Sequence, residues 1–281
     1  MKIVVTGAAG MLGSDLVRRL SAGHEAIGVT RREFDIVDEL NVLKTVAEIQ
    51  PDWVIQCAAY TNVDGCEKEP DKAFSVNADG ARNVAKACWG AKAKMLYVST
   101  DYVYDGQKEE PYVETDPVGP LNVYGQSKLK GEQEVLKILS DALVVRTSWL
   151  FGKNGPNFVE AILSQVGKKD ELSVVSDQVG NPTYTVDLAD ALTRLVEADA
   201  SGIFHAANNG HCSWFQFAKE ILKLHGAEGI TVKSITTAEL GRPALRPAYS
   251  VISKKKYEDV TGHRLRDWGE ALKDYLKHRD I

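Results

Sequence analysis

The chain has 281 residues, 44% of them hydrophobic and 26% charged, with a formal net charge of -5. A chain of this length buries a large core without staples, and interspersed acids and bases argue against a basic face for nucleic acid. Cys57, Cys66, Cys88 and Cys212 form no CxxC pair and the six histidines are scattered, so no structural metal is expected.

Residues 2–5 are apolar and β-branched after Lys2, as a buried parallel strand should be, and the amphipathic stretch 11–20 follows at once. Further strands are predicted at 26–30, 53–57, 95–99 and 143–147, with helices at 37–48, 73–89 and 127–139 between them. This alternation predicts a parallel sheet covered on both faces by right-handed crossovers. The segment 104–120 holds Gly106, Pro111, Pro117, Gly119 and Pro120 and is expected as a long surface loop. Beyond residue 150 the pattern loosens, with short strands near 173–175 and 203–206 and helices near 157–165, 186–198 and 214–224. No linker separates the halves. Residues 1–150 are expected as a dinucleotide-binding domain and 151–281 mainly as a smaller lobe, with some segments returning to the first core. Lys254-Lys255-Lys256, the longest basic run, is expected as a solvated helix start. No apolar run approaches the ~20 residues of a membrane span, and Met1 leads straight into a strand and a glycine turn; a cytoplasmic protein without membrane or nucleic-acid partners is expected.

Gly7-Ala8-Ala9-Gly10-Met11-Leu12-Gly13 sits between the first strand and the first helix. Gly7 permits the sharp turn, Gly10 lets a pyrophosphate approach the backbone, and Gly13 allows close packing of helix on sheet, while the helix N-terminus attracts the phosphates. The spacing is GxxGxxG rather than GxGxxG, but its strand–turn–helix context points to a dinucleotide. The fold class expected is therefore α/β, a Rossmann-type doubly wound parallel sheet with a smaller mixed α/β substrate-binding lobe. At the end of the second strand the chain reads Thr30-Arg31-Arg32, with no carboxylate for a ribose 2′-hydroxyl. Guanidinium forks suit a 2′-phosphate, which favours NADPH, with NADH as the alternative if the arginines are merely on the surface. Asp35 follows on the adenine side.

Tyr124 and Lys128 stand four residues apart at a helix start, so they share one face. A phenol is protonated at neutral pH and can donate its proton to the alkoxide formed when a hydride reaches a ketone, with a lysine cation beside it to stabilise the tyrosinate. Thr100 ends a predicted strand, where its hydroxyl can bond the same carbonyl oxygen. Thr100, Tyr124 and Lys128 are the expected catalytic residues.

These residues, with Cys57-Ala58-Ala59 at a strand end and Asn77 in the next helix, make the chain resemble the extended short-chain dehydrogenases/reductases over essentially its whole length. The strings Ala58-Ala59-Tyr60-Thr61-Asn62-Val63-Asp64, Ser99 to Gly106, Arg146 to Gly152, Asp177 to Thr183 and Arg246 to Ser250 are similar to the dTDP-4-dehydrorhamnose reductase branch. The resemblance implies reduction of the 4-keto group of dTDP-4-dehydro-6-deoxy-L-mannose to dTDP-L-rhamnose. It implies cofactor contacts at Gly7, Gly10, Met11, Leu12, Gly13, Arg31, Asp35 and Ile36, and at Ala58, Ala59, Tyr60, Asn77, Tyr124 and Lys128. Asp101, Tyr102, Trp149, Asn157 and Arg246 are the expected substrate contacts: aromatic faces for a deoxysugar, a helix start and a guanidinium for its diphosphate. Two alternatives stay open. One is another sugar-nucleotide reductase or epimerase, although Asp101-Tyr102 lacks the Asp-Glu pair of dehydratases; the other is a non-catalytic dinucleotide-binding regulatory subunit. A homodimer fits the family, and Asp15 is one carboxylate toward a Mg2+ ion, too few for a site.

Overall fold

The computed structural model describes residues 1–227 and 229–279; Glu228 and the last two residues of the expected second lobe lie outside the described residues. Strand β1 (Lys2–Thr6) pairs on one side with β2 (Glu25–Val29) and on the other with β3 (Trp53–Gln56). Outward from β3 follow β4 (Lys94–Thr100), β5 (Leu143–Thr147) and the strand Gly202–His205, giving a six-stranded sheet with every pair parallel. Alternation of side chains across the pleat sends Ile3, Val5, Ile55 and Leu96 into one core layer and Val4, Val54, Met95 and Tyr97 into the other. The first layer is closed by helix α1 (Met11–Leu20) and the helix Thr185–Glu197, which pack together through Leu16, Leu188 and Leu192. The second is closed by α2 (Glu39–Ile49), Gly80–Ala91 and Val123–Ile138. The winding reverses at β1, which opens a crevice beyond the carboxyl ends of β1 and β3, where doubly wound sheets hold ligands.

Within 151–279, the helix Thr185–Glu197 and the strand Gly202–His205 belong to this sheet domain. Tyr257 and Leu265 also join the sheet core, while much of the rest surrounds its own apolar cluster, with Phe151, Tyr184, Phe217, Leu272 and Tyr275 buried. Short pairings tie it together, among them Glu171–Val175 with Thr231–Ile235. Among the described residues no helix is long and apolar enough to cross a membrane.

One expectation needs correction and two are refined. The helix predicted over 73–89 is interrupted: Pro70–Phe74 leads through one wide π-turn, Ser75–Asp79, into Gly80–Ala91. Such turns re-aim side chains, and this one directs Asn77 inward. The 104–120 segment is a loop at the surface without helix or strand, as expected, and is anchored by Tyr104 and Tyr112, which are fully buried and stacked at 4.2 Å. The Tyr104 hydroxyl meets His205 Nε2 and accepts from Arg146 Nη1, each at 2.7 Å. The basic run does start a helix, Lys255–Thr261, but it is not wholly solvated: Lys256 lies 4.2 Å over the Phe204 ring, and burial lowers Lys254 to about 8.

Candidate active site

The turn after β1 is shaped by steric limits at two glycines. Gly7 has φ +70°, and a Cβ there would stand 2.9 Å from the Ala58 nitrogen. A Cβ on Gly13 would come within 2.2 Å of the Gly7 carbonyl oxygen, so this glycine lets α1 close on the turn that leaves β1. Gly10 caps α1 without a side-chain bond, and no acid occupies the first turn. The amide end of the helix and its positive dipole are thus open to an anion.

That end faces a cavity of about 660 Å3 over the strand ends. Gly7, Gly10, Met11 and Leu12 line it beside α1, and Ala58, Ala59 and Tyr60 line it after β3. Arg31, Asp35 and Ile36 line its far end; Arg31 is exposed and its Nε donates to Asp35 at 3.2 Å. An open helix end, a glycine cradle and an exposed guanidinium at one end of a long cavity fit a phosphorylated dinucleotide.

On the other side the helix Val123–Ile138 brings Tyr124 and Lys128 to the same cavity. Its start presses on the backbone, since a Cβ at Gly125 would stand 2.2 Å from the Tyr102 carbonyl oxygen. Tyr102 and Tyr124 meet edge to face at 5.8 Å. Thr100 ends β4; its hydroxyl donates to Asp101 Oδ1 at 3.0 Å, accepts from the Tyr102 amide and faces the Tyr124 phenol. Tyr124 is half-buried, and loss of hydration at its hydroxyl holds the phenol well above its usual range.

Lys128 departs from expectation. Its Nζ donates to the Val98 carbonyl at 2.7 Å and lies 3.9 Å over the Tyr97 ring. Burial lowers it to about 7, against the pull of Glu132 one turn further on. A cation that depresses the phenol was expected; burial instead favours the neutral form of both groups. Glu132 is held in turn by two hydrogen bonds from Arg146, at 2.9 and 2.7 Å, in a fully buried pair. Glu132 and Arg146 were missed from sequence, although Tyr124, Lys128 and Glu132 repeat at four-residue spacing.

Asp101, Tyr102 and Trp149 line the cavity as well. Trp149 has φ +46° and stacks on Trp214 at 3.5 Å, forming an aromatic wall of which Trp214 was not anticipated. Three expected ligands, Asn77, Asn157 and Arg246, make bonds within the protein, as does Asp15, for which no site was expected. Asn77 is fully buried and braces Tyr60 through its amide and carbonyl and Ser127 through its hydroxyl; it does not line the cavity. Asn157 caps the helix Phe158–Leu163 and donates to the Gly152 carbonyl at 2.8 Å. Arg246 is engaged by the Asp64 carboxylate and the Ala244 carbonyl and also bonds Tyr102, which lines the cavity. Asp15 bonds Arg18 and Thr185 and lines a separate hollow. None of Asn157, Arg246 and Asp15 lines the cavity.

The family model described as RmlD substrate binding domain matches residues 1–281. The spore coat polysaccharide biosynthesis protein SpsK of Bacillus subtilis is 44% identical over 99% of this chain and 98% of its own. A dTDP-4-dehydrorhamnose reductase of Streptomyces griseus is 42% identical over 96% and 91% of the two chains. The crystal structure of dTDP-4-dehydrorhamnose reductase from Bacillus anthracis in complex with NADP superposes with a TM-score of 0.95, at 40% identity and 99% coverage of both chains.

Proposed function

The chain belongs to the RmlD substrate binding domain family, and from that premise we propose that it is an NADPH-dependent reductase of dTDP-4-dehydro-6-deoxy-L-mannose, forming dTDP-L-rhamnose. The observation that carries the reading is the convergence of Thr100, Tyr124 and Lys128 with an open glycine turn on one cavity. Relatives named dTDP-4-dehydrorhamnose reductase, and the NADP of the Bacillus anthracis structure, support the substrate and the cofactor. The four unpaired cysteines support a reducing, cytoplasmic setting.

The amides at the start of α1 would hold the cofactor's pyrophosphate, and Arg31 would hold its 2′-phosphate. Ala58, Ala59 and Tyr60 form the wall beside it. Once bound, the reduced nicotinamide supplies the hydride. The 4-keto oxygen lies between the Thr100 hydroxyl and the Tyr124 phenol, both of which donate to it as negative charge develops. Tyr124 then gives up its proton to that oxygen; its raised pKa keeps the phenol protonated through the neutral range. Lys128, tied to Val98, would orient the cofactor's ribose and adds positive charge when protonated. Trp149 and Trp214 present an apolar face to the deoxysugar and keep water from the reacting carbon.

The test is to mix the protein with NADPH and the 4-keto-6-deoxy-L-hexose nucleotide, follow nicotinamide oxidation and identify the product. Stoichiometric oxidation with formation of dTDP-L-rhamnose is expected. Turnover of a different keto sugar nucleotide would move the assignment to a sister reductase; cofactor binding without turnover of any would move it to a regulatory subunit.

A further inference from the structure

A phenol that gives its proton to a sugar alkoxide must recover one before the next turnover, and the surroundings of Tyr124 narrow the source. The Lys128 amine is turned to the Val98 carbonyl and the Tyr97 ring. The phenol faces the Thr100 hydroxyl instead, and that hydroxyl is bonded to Asp101 Oδ1. Asp101 is 2% exposed and lies on the cavity wall. Its Oδ2 has no hydrogen-bond partner of normal geometry among the described residues, although the Ser250 hydroxyl lies against the carboxyl. The groups facing it are thus the hydroxyls of Thr100 and Ser250, the phenols of Tyr102 and Tyr124, and the amides of its own residue and of Tyr102. The charges that reach Tyr102, Arg246 and Asp64, pair with each other at 3.1 Å. A buried carboxylate with one oxygen unmatched is costly, and the neutral carboxylic acid there costs less.

We propose that Asp101 is the proton reservoir of the site, passing its carboxyl proton to Thr100 Oγ1 as the Thr100 hydroxyl passes its own to the Tyr124 phenolate. The inference rests on the reductase reading above. With the carboxyl proton on Oδ1, the oxygen bonded to Thr100, and the Thr100 hydroxyl turned to the phenolate, the Asp101 O–H breaks, one O–H at Thr100 forms as another breaks, and the Tyr124 O–H forms. No electrons are transferred in this step. The Asp101 carboxylate left behind takes up a solvent proton, from hydronium or a buffer acid, when product leaves the cavity. Burial raises Asp101 to about 7, so a useful fraction is protonated near neutrality, where an ordinary aspartate at about 3.9 is not.

The test compares the full-length protein with Asp101→Asn, Thr100→Val and Thr100→Ser, using NADPH and the 4-keto-6-deoxy-L-hexose nucleotide across the neutral range, in H2O and D2O. The parent kcat is expected to fall as pH rises through about 7. Asp101→Asn is expected to lose that break, to lower kcat on the order of 10²-fold, as loss of a proton-transfer group does, and to show a larger solvent isotope effect with KM little changed. If Asp101→Asn fails to fold, judged by circular dichroism, the threonine pair decides: Thr100→Ser keeps the pH break and Thr100→Val loses it. An active parent whose break survives in Asp101→Asn, or in Thr100→Val, overturns the relay. An inactive parent overturns the reductase reading itself, and the relay with it.

Discussion

The carboxamide of Asn122 accepts from the Gly125 amide at 2.8 Å and donates to the Leu245 carbonyl at 2.7 Å. One buried side chain thus caps the helix carrying Tyr124 and Lys128 and fastens it to the second lobe. Asn122→Ala is expected to cost about 2 kcal/mol, from a lost cap and an orphaned carbonyl, and to lower kcat because the helix start loses its anchor. Urea denaturation and steady-state rates measure both; a cost below about 0.5 kcal/mol would contradict the anchoring role.

Tyr124→Phe removes the hydroxyl that acts in the transition state and leaves the cofactor contacts in place. kcat should fall by about 10²- to 10⁴-fold while NADPH affinity, read by fluorescence titration, stays within about twofold. Equal activity in variant and parent would remove Tyr124 from the chemistry.

Lys128 carries a pH signature in stability. Its folded-state value of about 7 lies below the ~10.4 of an unfolded lysine. Between these values the unfolded chain binds more protons, so stability rises with pH through that window, and the burial penalty is fully present below it. Lys128→Met abolishes the effect. Its stability relative to the parent should therefore decline from pH 7 toward pH 10, while the loss from the freed Val98 carbonyl stays constant. Denaturation midpoints at several pH values supply the slope, and a flat difference would show that Lys128 titrates normally.

Arg31 is exposed, and its recorded partner is Asp35. Arg31→Ala should weaken NADPH by roughly tenfold or more, as loss of a charge-assisted contact does, and leave NADH nearly unchanged. Parallel losses for the two cofactors would mean that the side chain reads something other than the 2′-phosphate.

Asn157 accepts from the Glu160 amide as a helix cap. Asn157→Ala should cost about 1 kcal/mol of stability with no direct effect on substrate KM. A KM rise of tenfold at unchanged stability would restore it as a ligand.

The Asn157 case shows how local signals are overlooked. Asn-Phe-Val-Glu at 157–160 is a cap followed three residues later by an acid, so its structural job was readable, yet a diphosphate contact was preferred. The glycine turn and the Thr100, Tyr124 and Lys128 set were legible because each depends on spacing within one strand, turn or helix. Arg246 was not, since its partner Asp64 lies far away in sequence. The Thr231–Ile235 strand was also invisible, because it is ordered by pairing with Glu171–Val175 and carries little burial of its own.

The sequence by itself determined the alternation of strands and helices, the open amide end of α1 and the shared helical face of the phenol and the amine. These follow from sterics and hydrogen bonds acting over a few residues. Only the tertiary structure decided what those groups are chemically. The Val98 carbonyl, the buried Glu132–Arg146 pair and the dry setting of Asp101 come together from separate strands and helices. Desolvation and long-range pairing, which set protonation, exist only once the chain has closed.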